Sequence, residues 1–473
     1  MKLKYILYTT ILLFLLTFST INAKDICDNI FLDVNSGEEN CKHIEYLLYQ
    51  EVIPNKKCFF PQKPARRGEV AHMIVNAFNF NIGYRENSFT DIGEDYEYYQ
   101  EILTLNQLEI LNGYSDGSFK PYRPITRGEF MKILANSLRE KKWYLYKEST
   151  INLETVFSDV PQDYCFREYI SNLYSIKLPN EERIFRGFSD GTFKPDKNIS
   201  KSSIAKIITN TMKYAGLFNL SCQDFYCSDR YSTNLHLLGL EDMYKEQIDL
   251  ENLILNLGYS IEKRPILAHV FGEGCETYLF IGGIHGSEYN SSNLMKQWIK
   301  EVKGNQGIWN NKRIIIIPES NPDGLVKHKR LNSNNVDLNR NFDADWQQVT
   351  FLGNQVFSKG GGSYPFSEPE TQVLRDFVIA TEPSLIISYH SAAGFSIPND
   401  NKLAYNIALE YSEYSGYRFT GDDELKGFDY IITGSLGNWA ASLDIPAIVV
   451  ELSSTHNNEF DKNKDAMWQI VNR

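Results

Sequence analysis

Positive charge, sulfur and long apolar segments are all scarce in this chain. Its 473 residues hold 48 Lys and Arg against 60 Asp and Glu, and the net charge of −12 argues against nucleic acid as a partner. Beyond the amino terminus, no stretch is long and apolar enough to cross a bilayer. The seven cysteines show no spacing typical of a structural zinc site. These shortages argue against a nucleic-acid-binding protein, a multispanning membrane protein and a cysteine-ligated zinc fold.

The composition is that of a folded, multidomain protein. Apolar residues make up 42% of the chain and aromatic residues 13%, which excludes general disorder. A length of 473 residues predicts two or three domains.

The amino terminus has the pattern of a secretory signal peptide. A basic start at Met1-Lys-Leu-Lys4 precedes the apolar run Ile6–Phe18 and a small residue, Ala23. We expect residues 1–23 to be removed; an uncleaved membrane anchor is the alternative. Export makes disulfides possible, and the odd number of cysteines leaves at least one free or paired with another chain. Cys222 and Cys227 are close enough to bridge a short loop.

The amino-terminal half repeats itself. Gly113–Pro121 returns as Gly187–Pro195, and Phe89-Thr-Asp91 returns as Phe157-Ser-Asp159. A third, earlier copy opens at Phe31-Leu-Asp-Val34. In each copy we expect the Asp of Phe-x-Asp to cap the next helix and a second helix to follow, capped by Thr126 or Ser200 in the later two copies. An Asp-Gly turn with positive φ is expected in the later two copies, whereas the first copy lacks it. Repeats of this length predict pseudo-symmetric units that share one core.

This pattern resembles the S-layer homology domain, in three copies at 27–86, 87–150 and 151–215. The resemblance implies helical repeats with pseudo-threefold symmetry that attach without covalent bonds to a cell-wall or envelope glycan. In that family the Thr-Arg-x-Glu segment contributes to the glycan site. The resemblance therefore implies that Arg67 and Glu69 in the first copy, and Arg127 and Glu129 in the second, contribute to a glycan site. The third copy has Lys201-Ser-Ser203 at this position. For Arg127 and Glu129 the alternative is a solvated pair at a helix start.

The carboxyl-terminal half predicts an α/β domain over 236–473, after a linker at 216–235. Short β-branched runs at 278–281, 313–317, 385–389 and 447–450 are typical of strands buried on both faces. Helical segments are expected between them. The alternation predicts a mixed, largely parallel sheet flanked by helices. The expected helices are Asn290–Val302, Glu368–Ala380 and Leu403–Tyr414.

Three of these strands end in residues suited to metal chemistry. His285 and Glu288 follow the first strand, His390 closes another, and Glu451 closes a third. Ligands bind at the carboxyl ends of strands in open α/β sheets. Two His and one Glu are a known ligand set of catalytic zinc, with one position left for water. Glu451 is then placed to take the proton of that water.

Further motifs resemble the zinc metallocarboxypeptidases, and the distance of Tyr430 from the following segment Gly434–Ala440 resembles that in their murein peptide amidase branch. His-x-x-Glu at 285–288, Val-Asp-Leu-Asn-Arg-Asn-Phe at 336–342, a strand-end His and a strand-end Glu follow in the order of that family. Gly258–Ile266 resembles the entry to its catalytic domain, with Lys263 in place of a Gly. The resemblance covers roughly residues 240–473.

The resemblance implies a role for each matching residue. His285, Glu288 and His390 would bind one Zn²⁺ per chain, and Glu451 would be the general base and then the acid. Arg330 would polarise the scissile carbonyl. Asn339, Arg340 and Tyr430 would hold the terminal carboxylate of the substrate, beside a specificity pocket that includes Leu436 and Gly437.

Together these features predict a secreted zinc metallopeptidase bound to the bacterial cell wall. It would cleave a C-terminal peptide bond or a γ-glutamyl–diamino acid bond, in cell-wall peptides. One alternative is a general carboxypeptidase for nutrient peptides. Another is a wall-binding protein whose peptidase domain is inactive, although the intact ligand set argues against it.

Overall fold

The computed structural model describes residues 31–35, 40–83, 86–142, 156–178, 182–215, 253–272, 274–305, 312–352, 355–421 and 432–473. The chain divides into two compact units, Met1–Ser232 and Thr233–Arg473. Several predictions fall outside the described residues: the signal peptide, the 216–235 linker, a Cys222–Cys227 bridge and the placement of Tyr430. Within the described ranges Cys41, Cys58 and Cys275 are disulfide-bonded, whereas Cys165 is free and exposed.

The first unit is helical, and its helices come in pairs that follow the sequence repeat. Buried apolar residues from all three copies form one continuous core. Phe130, Ile133 and Leu134, predicted from their helical spacing to face that core, are fully or almost fully buried. The helices are α1 (Cys41–Tyr49), α2 (Arg67–Ala77), α3 (Tyr99–Gln107), α4 (Arg127–Glu140), α5 (Arg167–Ser175) and α6 (Lys201–Tyr214).

A closed ring of backbone hydrogen bonds joins the three copies. The Ala65 amide donates to the Ile199 carbonyl, Ile199 donates to Ile125, and Ile125 donates back to Ala65, at 2.9–3.0 Å. These residues precede α2, α4 and α6 at equivalent positions. The ring satisfies three buried amides at once, and it gives the first copy the same place in the pseudo-threefold arrangement as the other two.

The prediction for the Asp of Phe-x-Asp was wrong. Asp91 does not cap α3; its carboxylate accepts the amides of Phe119 and Lys120, at 2.6 and 2.7 Å. Asp33 and Asp159 bind the equivalent amides of their own copies. A carboxylate can accept from a distant loop as readily as from a helix start, so local spacing did not decide between the two.

The turns and caps predicted for the repeats are confirmed. Gly117 and Gly191 in the Asp-Gly turns have φ of 81° and 76°. The Thr126 hydroxyl accepts from the Glu129 amide at 3.2 Å, and Ser200 does the same for Ser203 at 3.3 Å.

The second unit is an α/β domain, as predicted. Its described strands are β1 (Ile254–Tyr259), β2 (Pro265–Phe271), β3 (Glu276–Ile281), β4 (Lys312–Ile317), β5 (Thr350–Leu352), β6 (Gln355–Phe357), β7 (Leu385–Ser391), β8 (Phe395–Pro398), β9 (Arg418–Phe419) and β10 (Ala447–Leu452). Its helices are α7 (Tyr289–Gly304), α8 (Pro322–Lys327), α9 (Pro369–Thr381), α10 (Lys402–Ser415), α11 (Leu436–Ser442) and α12 (Phe460–Val471), with a 3₁₀ turn at Leu338–Arg340.

A mixed sheet of eight strands runs through this domain in the order β1-β2-β4-β3-β7-β10-β8-β9. Its centre is parallel: β4, β3, β7 and β10 run side by side in the same direction. Antiparallel pairs flank this centre on both sides. The predicted mixed sheet is confirmed, and the carboxyl ends of the central strands lie along one edge. In the part of the chain that the structure describes, no helix combines the length and apolarity needed to span a membrane.

Candidate metal centre

Three neighbouring parallel strands bring the predicted residues together. His285 and Glu288 lie between the end of β3 and the start of α7. His390 is the penultimate residue of β7, and Glu451 is the penultimate residue of β10. Because β3 pairs with β7 and β7 with β10, all four side chains reach the same edge of the sheet.

His285, Glu288 and His390 converge on one point. The Nδ1 atom of His285 lies 2.8 Å from Oε1 of Glu288 and 3.1 Å from Nδ1 of His390. The other Glu288 oxygen, Oε2, lies 3.2 Å from Nδ1 of His390. All three side chains are buried, and their ligand atoms lie within 4.8 Å of one another.

The protonation pattern of this cluster favours a cation. Asp337 Oδ1 lies 3.2 Å from Nε2 of His285 and can only accept, so Nε2 carries the ring proton. Neutral His285 therefore turns a lone pair at Nδ1 toward the Glu288 carboxylate, and two acceptors face each other. Burial and Arg330 oppose an added proton, but the carboxylates of Glu288 and Asp337 outweigh them and raise the pKa of His285. A metal ion would relieve the same electrostatic conflict, so these residues fit a zinc ion.

Further contacts fix the rings so that Nδ1 of each faces the centre. The second nitrogen of His390, Nε2, is hydrogen-bonded to Ser388 Oγ at 3.1 Å. The Ser391 amide donates to Oε2 of Glu288 at 3.2 Å. The pKa of Glu288 is lowered, because the imidazoles of His285 and His390 outweigh the opposing effect of burial. The ligand set is thus oriented before any metal binds.

Asp337 contacts the ligand cluster and was not among the site residues predicted from the sequence. Besides His285, its carboxylate accepts from Nε of Arg330 at 3.0 Å. Burial opposes its charge, but Arg330 and His285 hold the pKa of Asp337 well below its usual range. A signal was present: Asp337 lies in the same Val-Asp-Leu-Asn-Arg run, two residues before Asn339.

Arg330 borders the ligand cluster directly. Its NH1 group donates to Oε1 of Glu288 at 3.2 Å, and its side chain is 23% exposed. A guanidinium that is partly open to solvent and beside the ligands can stabilise negative charge on a substrate oxygen.

Arg340 is buried with no carboxylate partner among the described residues. One guanidinium nitrogen, NH1, donates to the main-chain carbonyl of Asn339 at 2.7 Å, and the side chain forms no salt bridge there. The side-chain oxygen of Asn339 accepts from the Leu436 amide at 3.0 Å, at the start of α11. A buried guanidinium of this kind is suited to a carboxylate supplied by a ligand.

Glu451 lies beside the cluster of His285, Glu288 and His390 but forms no hydrogen bond with these side chains. Among the described residues no hydrogen bond of its carboxylate restrains it, and burial raises its pKa above the ordinary value despite the opposing effect of His390. A carboxyl group with a raised pKa, close to a metal centre, is suited to general acid–base chemistry near neutral pH.

The fold and the site together define a metal-dependent hydrolase carried on an α/β sheet. Comparison with known families sharpens this class. Residues 241–471 match the zinc carboxypeptidase family, and 88–131 and 156–205 match the S-layer homology domain. The second unit therefore carries a zinc carboxypeptidase domain, and the first unit carries S-layer homology domains, which indicate attachment to a cell surface. The match covers the second and third copies; the assignment of the first copy stays a prediction.

Individual relatives each match part of the chain. Murein peptide amidase A of Escherichia coli (strain K12) is 26% identical over 193 residues, which cover 39% of this chain and 74% of that protein. Cell surface glycoprotein 1 of Acetivibrio thermocellus is 34% identical over 98 residues, 21% of this chain and 4% of that protein. The crystal structure of a murein-tripeptide amidase from Escherichia coli O157 is similar with a TM-score of 0.38 at 23% identity, covering 46% of this chain and 92% of that one.

Proposed function

We propose that the second unit binds one zinc ion through His285, Glu288 and His390 and hydrolyses the C-terminal amide bond of a peptide. The observation that carries the proposal is the convergence of two imidazole Nδ1 atoms and a carboxylate on one point. Glu451, whose carboxyl group is not hydrogen-bonded among the described residues, and Arg340, which has no carboxylate partner there, belong to the same site. When bound, zinc lowers the pKa of a water molecule and polarises a carbonyl.

Each residue around the ion has a separate role in binding the substrate or in the reaction. Arg340, with Asn339 and Tyr430, holds the free carboxylate of the substrate and so selects the last residue of the chain. Glu451 takes a proton from the attacking water as the water oxygen bonds to the scissile carbonyl carbon. Arg330 stabilises the negative oxygen that forms. The C–N bond then breaks, and Glu451 passes the proton to the leaving amine.

We place the substrate in the cell wall. Two similarities support this: one to a murein peptide amidase, the other to S-layer homology domains. A γ-glutamyl–diamino acid bond offers the required free carboxylate on its leaving residue. An exported enzyme bound non-covalently to the wall would meet this substrate at high local concentration. Hydrolysis of nutrient peptides is the competing hypothesis.

The anchoring role is proposed for the grooves between repeats. Arg67 reaches from the first copy into the second, where Nε donates to the Phe119 carbonyl at 3.0 Å. Arg127 does the same between the second and third copies, at 2.8 Å from the Phe193 carbonyl. Both guanidiniums are buried, so they would present only part of their surface to a glycan.

The groove beside Arg127 has the charge best suited to an anionic sugar. In the first groove Glu129 pairs with Arg123 at 3.0 Å, and Glu69 pairs with Lys201 at 2.5 Å where the third copy meets the first. The position equivalent to Glu69 and Glu129 is Ser203 in the third copy. Lys194 and Lys197 lie over the ring of Phe188 there, at 4.5 and 5.3 Å. Lys194 is paired with Asp190 at 2.9 Å, but among the described residues Arg127 and Lys197 form no salt bridge, and these two cations beside an aromatic ring favour an acidic glycan.

Zinc content and product analysis test the catalytic proposal. Purified chain should hold about one zinc ion, and His390→Ala should lose it. Incubation with muropeptides and with ordinary peptides, followed by mass spectrometry, should show release of a single C-terminal residue or diamino acid from the muropeptides. Wild-type protein without zinc would refute the catalytic proposal. Release of a C-terminal residue from ordinary peptides alone would favour the hydrolysis of nutrient peptides.

Sedimentation with isolated cell walls tests the anchor. Lys197→Ala should weaken binding of the full chain, whereas Arg123→Ala, a matched change in the groove that contains Glu129, should have less effect. Equal binding by wild type, Lys197→Ala and Arg127→Ala would remove the glycan role from this groove.

A further inference from the structure

Asn290 connects the ends of the strands that carry the site. It lies in the first turn of α7, two residues after Glu288, and its side chain is fully buried. Its amide nitrogen Nδ2 donates to the carbonyls of Ser454 and Asn457, at 2.5 and 3.3 Å. Its Oδ1 accepts from Ser391 Oγ at 2.9 Å. Every hydrogen-bonding atom of the side chain therefore points to a loop of the site.

The partners of Asn290 lie in the loops that follow His390 and Glu451. Ser391 is the neighbour of His390, and its amide donates to the Glu288 carboxylate at 3.2 Å. Ser454 lies three residues beyond Glu451, just past the end of β10. One amide group thus joins the peptide that holds a ligand carboxylate to the loop that follows Glu451.

The sheet alone does not extend this far. Register between β7 and β10 ends at the pair Leu452 and Ser391. Beyond it the loop turns back on itself, since the Ser454 hydroxyl accepts the amides of His456 and Asn457 at 3.1 and 2.9 Å. This turn brings two carbonyls to the same amide nitrogen of Asn290.

We infer that Asn290 is a positioning residue that fixes Glu451 relative to the metal ligands by tying the loops after β7 and β10 to α7. The inference rests on the proposed function, because it assigns Glu451 a geometric requirement in the proton transfer. Glu451 itself lacks a hydrogen bond that would hold it among the described residues. The sheet fixes its backbone, through the pairing of β10 with β7 and β8, and the loop that Asn290 holds fixes the chain that follows it.

Two substitutions separate the two halves of the connection. Asn290→Asp keeps an acceptor for Ser391 but turns an oxygen toward the carbonyls of Ser454 and Asn457. Ser391→Ala removes the hydroxyl and leaves its amide on Glu288. Thr381→Ala is the matched control: its hydroxyl is also buried and bonded, to Phe377 at 2.7 Å, but it precedes β7 at the opposite edge of the sheet.

The full chain loaded with zinc is assayed on a peptide it hydrolyses. For Asn290→Asp we expect kcat to fall about 10- to 100-fold, while KM stays within about twofold, because misplacement of a reacting group affects the transition state and not ground-state binding. Zinc content should stay at about one per chain, since the three ligands remain. Ser391→Ala should give a smaller loss of kcat, and Thr381→Ala none.

Amide hydrogen exchange supplies a readout that does not depend on activity. Asn290→Asp should raise amide exchange in residues 391–394 and 452–459. The control Thr381→Ala should leave exchange in these residues unchanged. Lower thermal stability with unchanged kcat and no local change in exchange would overturn the inference and leave Asn290 a structural residue. Wild-type protein that binds zinc but hydrolyses no peptide would refute the proposed function; the exchange result would still decide whether Asn290 holds these loops.

Discussion

Glu451 and His390 lie side by side in the sheet, as register partners on the parallel strands β10 and β7. Paired residues on neighbouring strands project to the same face, about 4.8 Å apart along the hydrogen-bonding direction. The sheet itself therefore places a carboxyl group next to a proposed metal ligand. The proposed proton transfer and metal binding would share one backbone frame, yet they would depend on different side chains.

Glu451→Gln should separate the two roles. The amide has nearly the same shape but cannot take a proton from water, so kcat is expected to fall about 10²- to 10⁴-fold. Zinc content should not change, because His285, Glu288 and His390 remain. Steady-state kinetics and metal analysis on the same preparation measure both.

Glu276→Gln serves as a control for Glu451. Glu276 is the first residue of β3, at the opposite edge of the sheet, and its carboxylate lies 3.6 Å from Lys312 Nζ. Its loss should leave turnover and zinc content unchanged. Full activity of Glu451→Gln would contradict the assigned proton transfer.

Asp337→Asn should weaken zinc binding without removing a ligand. The side-chain amide can turn its N–H group toward Nε2 of His285, which loses its acceptor and its fixed tautomer. Loss of such a partner typically costs about 10- to 100-fold in metal affinity. Competition with a zinc-chelating dye measures it, and Asp345→Asn, an exposed change in the following loop, should bind zinc like wild type. Unchanged affinity of Asp337→Asn would show that zinc binding does not depend on the contact between Asp337 and His285.

The ligands could be predicted from the sequence because each follows an apolar strand. Buried parallel strands read as continuous apolar runs, so the ends of β3, β7 and β10 were visible, and with them His285, His390 and Glu451. The order of the central strands was not visible. The sequence pattern shows where strands end; it does not show that β7 lies between β3 and β10.

The supporting residue Asn290 could not be predicted for the same reason. Its partners lie in segments that only the fold brings together, and a polar residue at such a position looks like an ordinary surface residue in the sequence. Asp91 is the clearest case. Its spacing suited a helix cap, but the loop that carries Phe119 supplied better-placed amides.

Lys263→Gly should stabilise the second unit. Lys263 occupies the position where the related family entry motif has Gly, and its φ is 61°, in the left-handed region. A side chain pays a steric cost there that Gly avoids, although Gly also gains freedom in the unfolded chain. The net gain in unfolding free energy is expected to be about 0.5–1 kcal/mol. Chemical denaturation measures it; Lys263→Ala keeps the Cβ atom and should show no such gain, and equal stability of all three proteins would contradict the strain.

Asp323→Asn should make stability less dependent on acidic pH. The carboxylate of Asp323 is buried and accepts from Ser260 Oγ, the Glu262 amide and Arg264, at 2.7, 3.0 and 2.6 Å. Burial raises its pKa, but these donors outweigh burial and lower it below the ordinary value of 3.8. A depressed pKa contributes stability above the unfolded value, and the contribution is lost as pH falls through the folded one. The variant should thus be less stable than wild type near pH 7, by roughly 1–3 kcal/mol, and the difference should shrink below about pH 4. Urea unfolding across this range measures it, with the exposed Asp376→Asn as control; a difference that stays constant with pH would show that the donors do not favour the charged form.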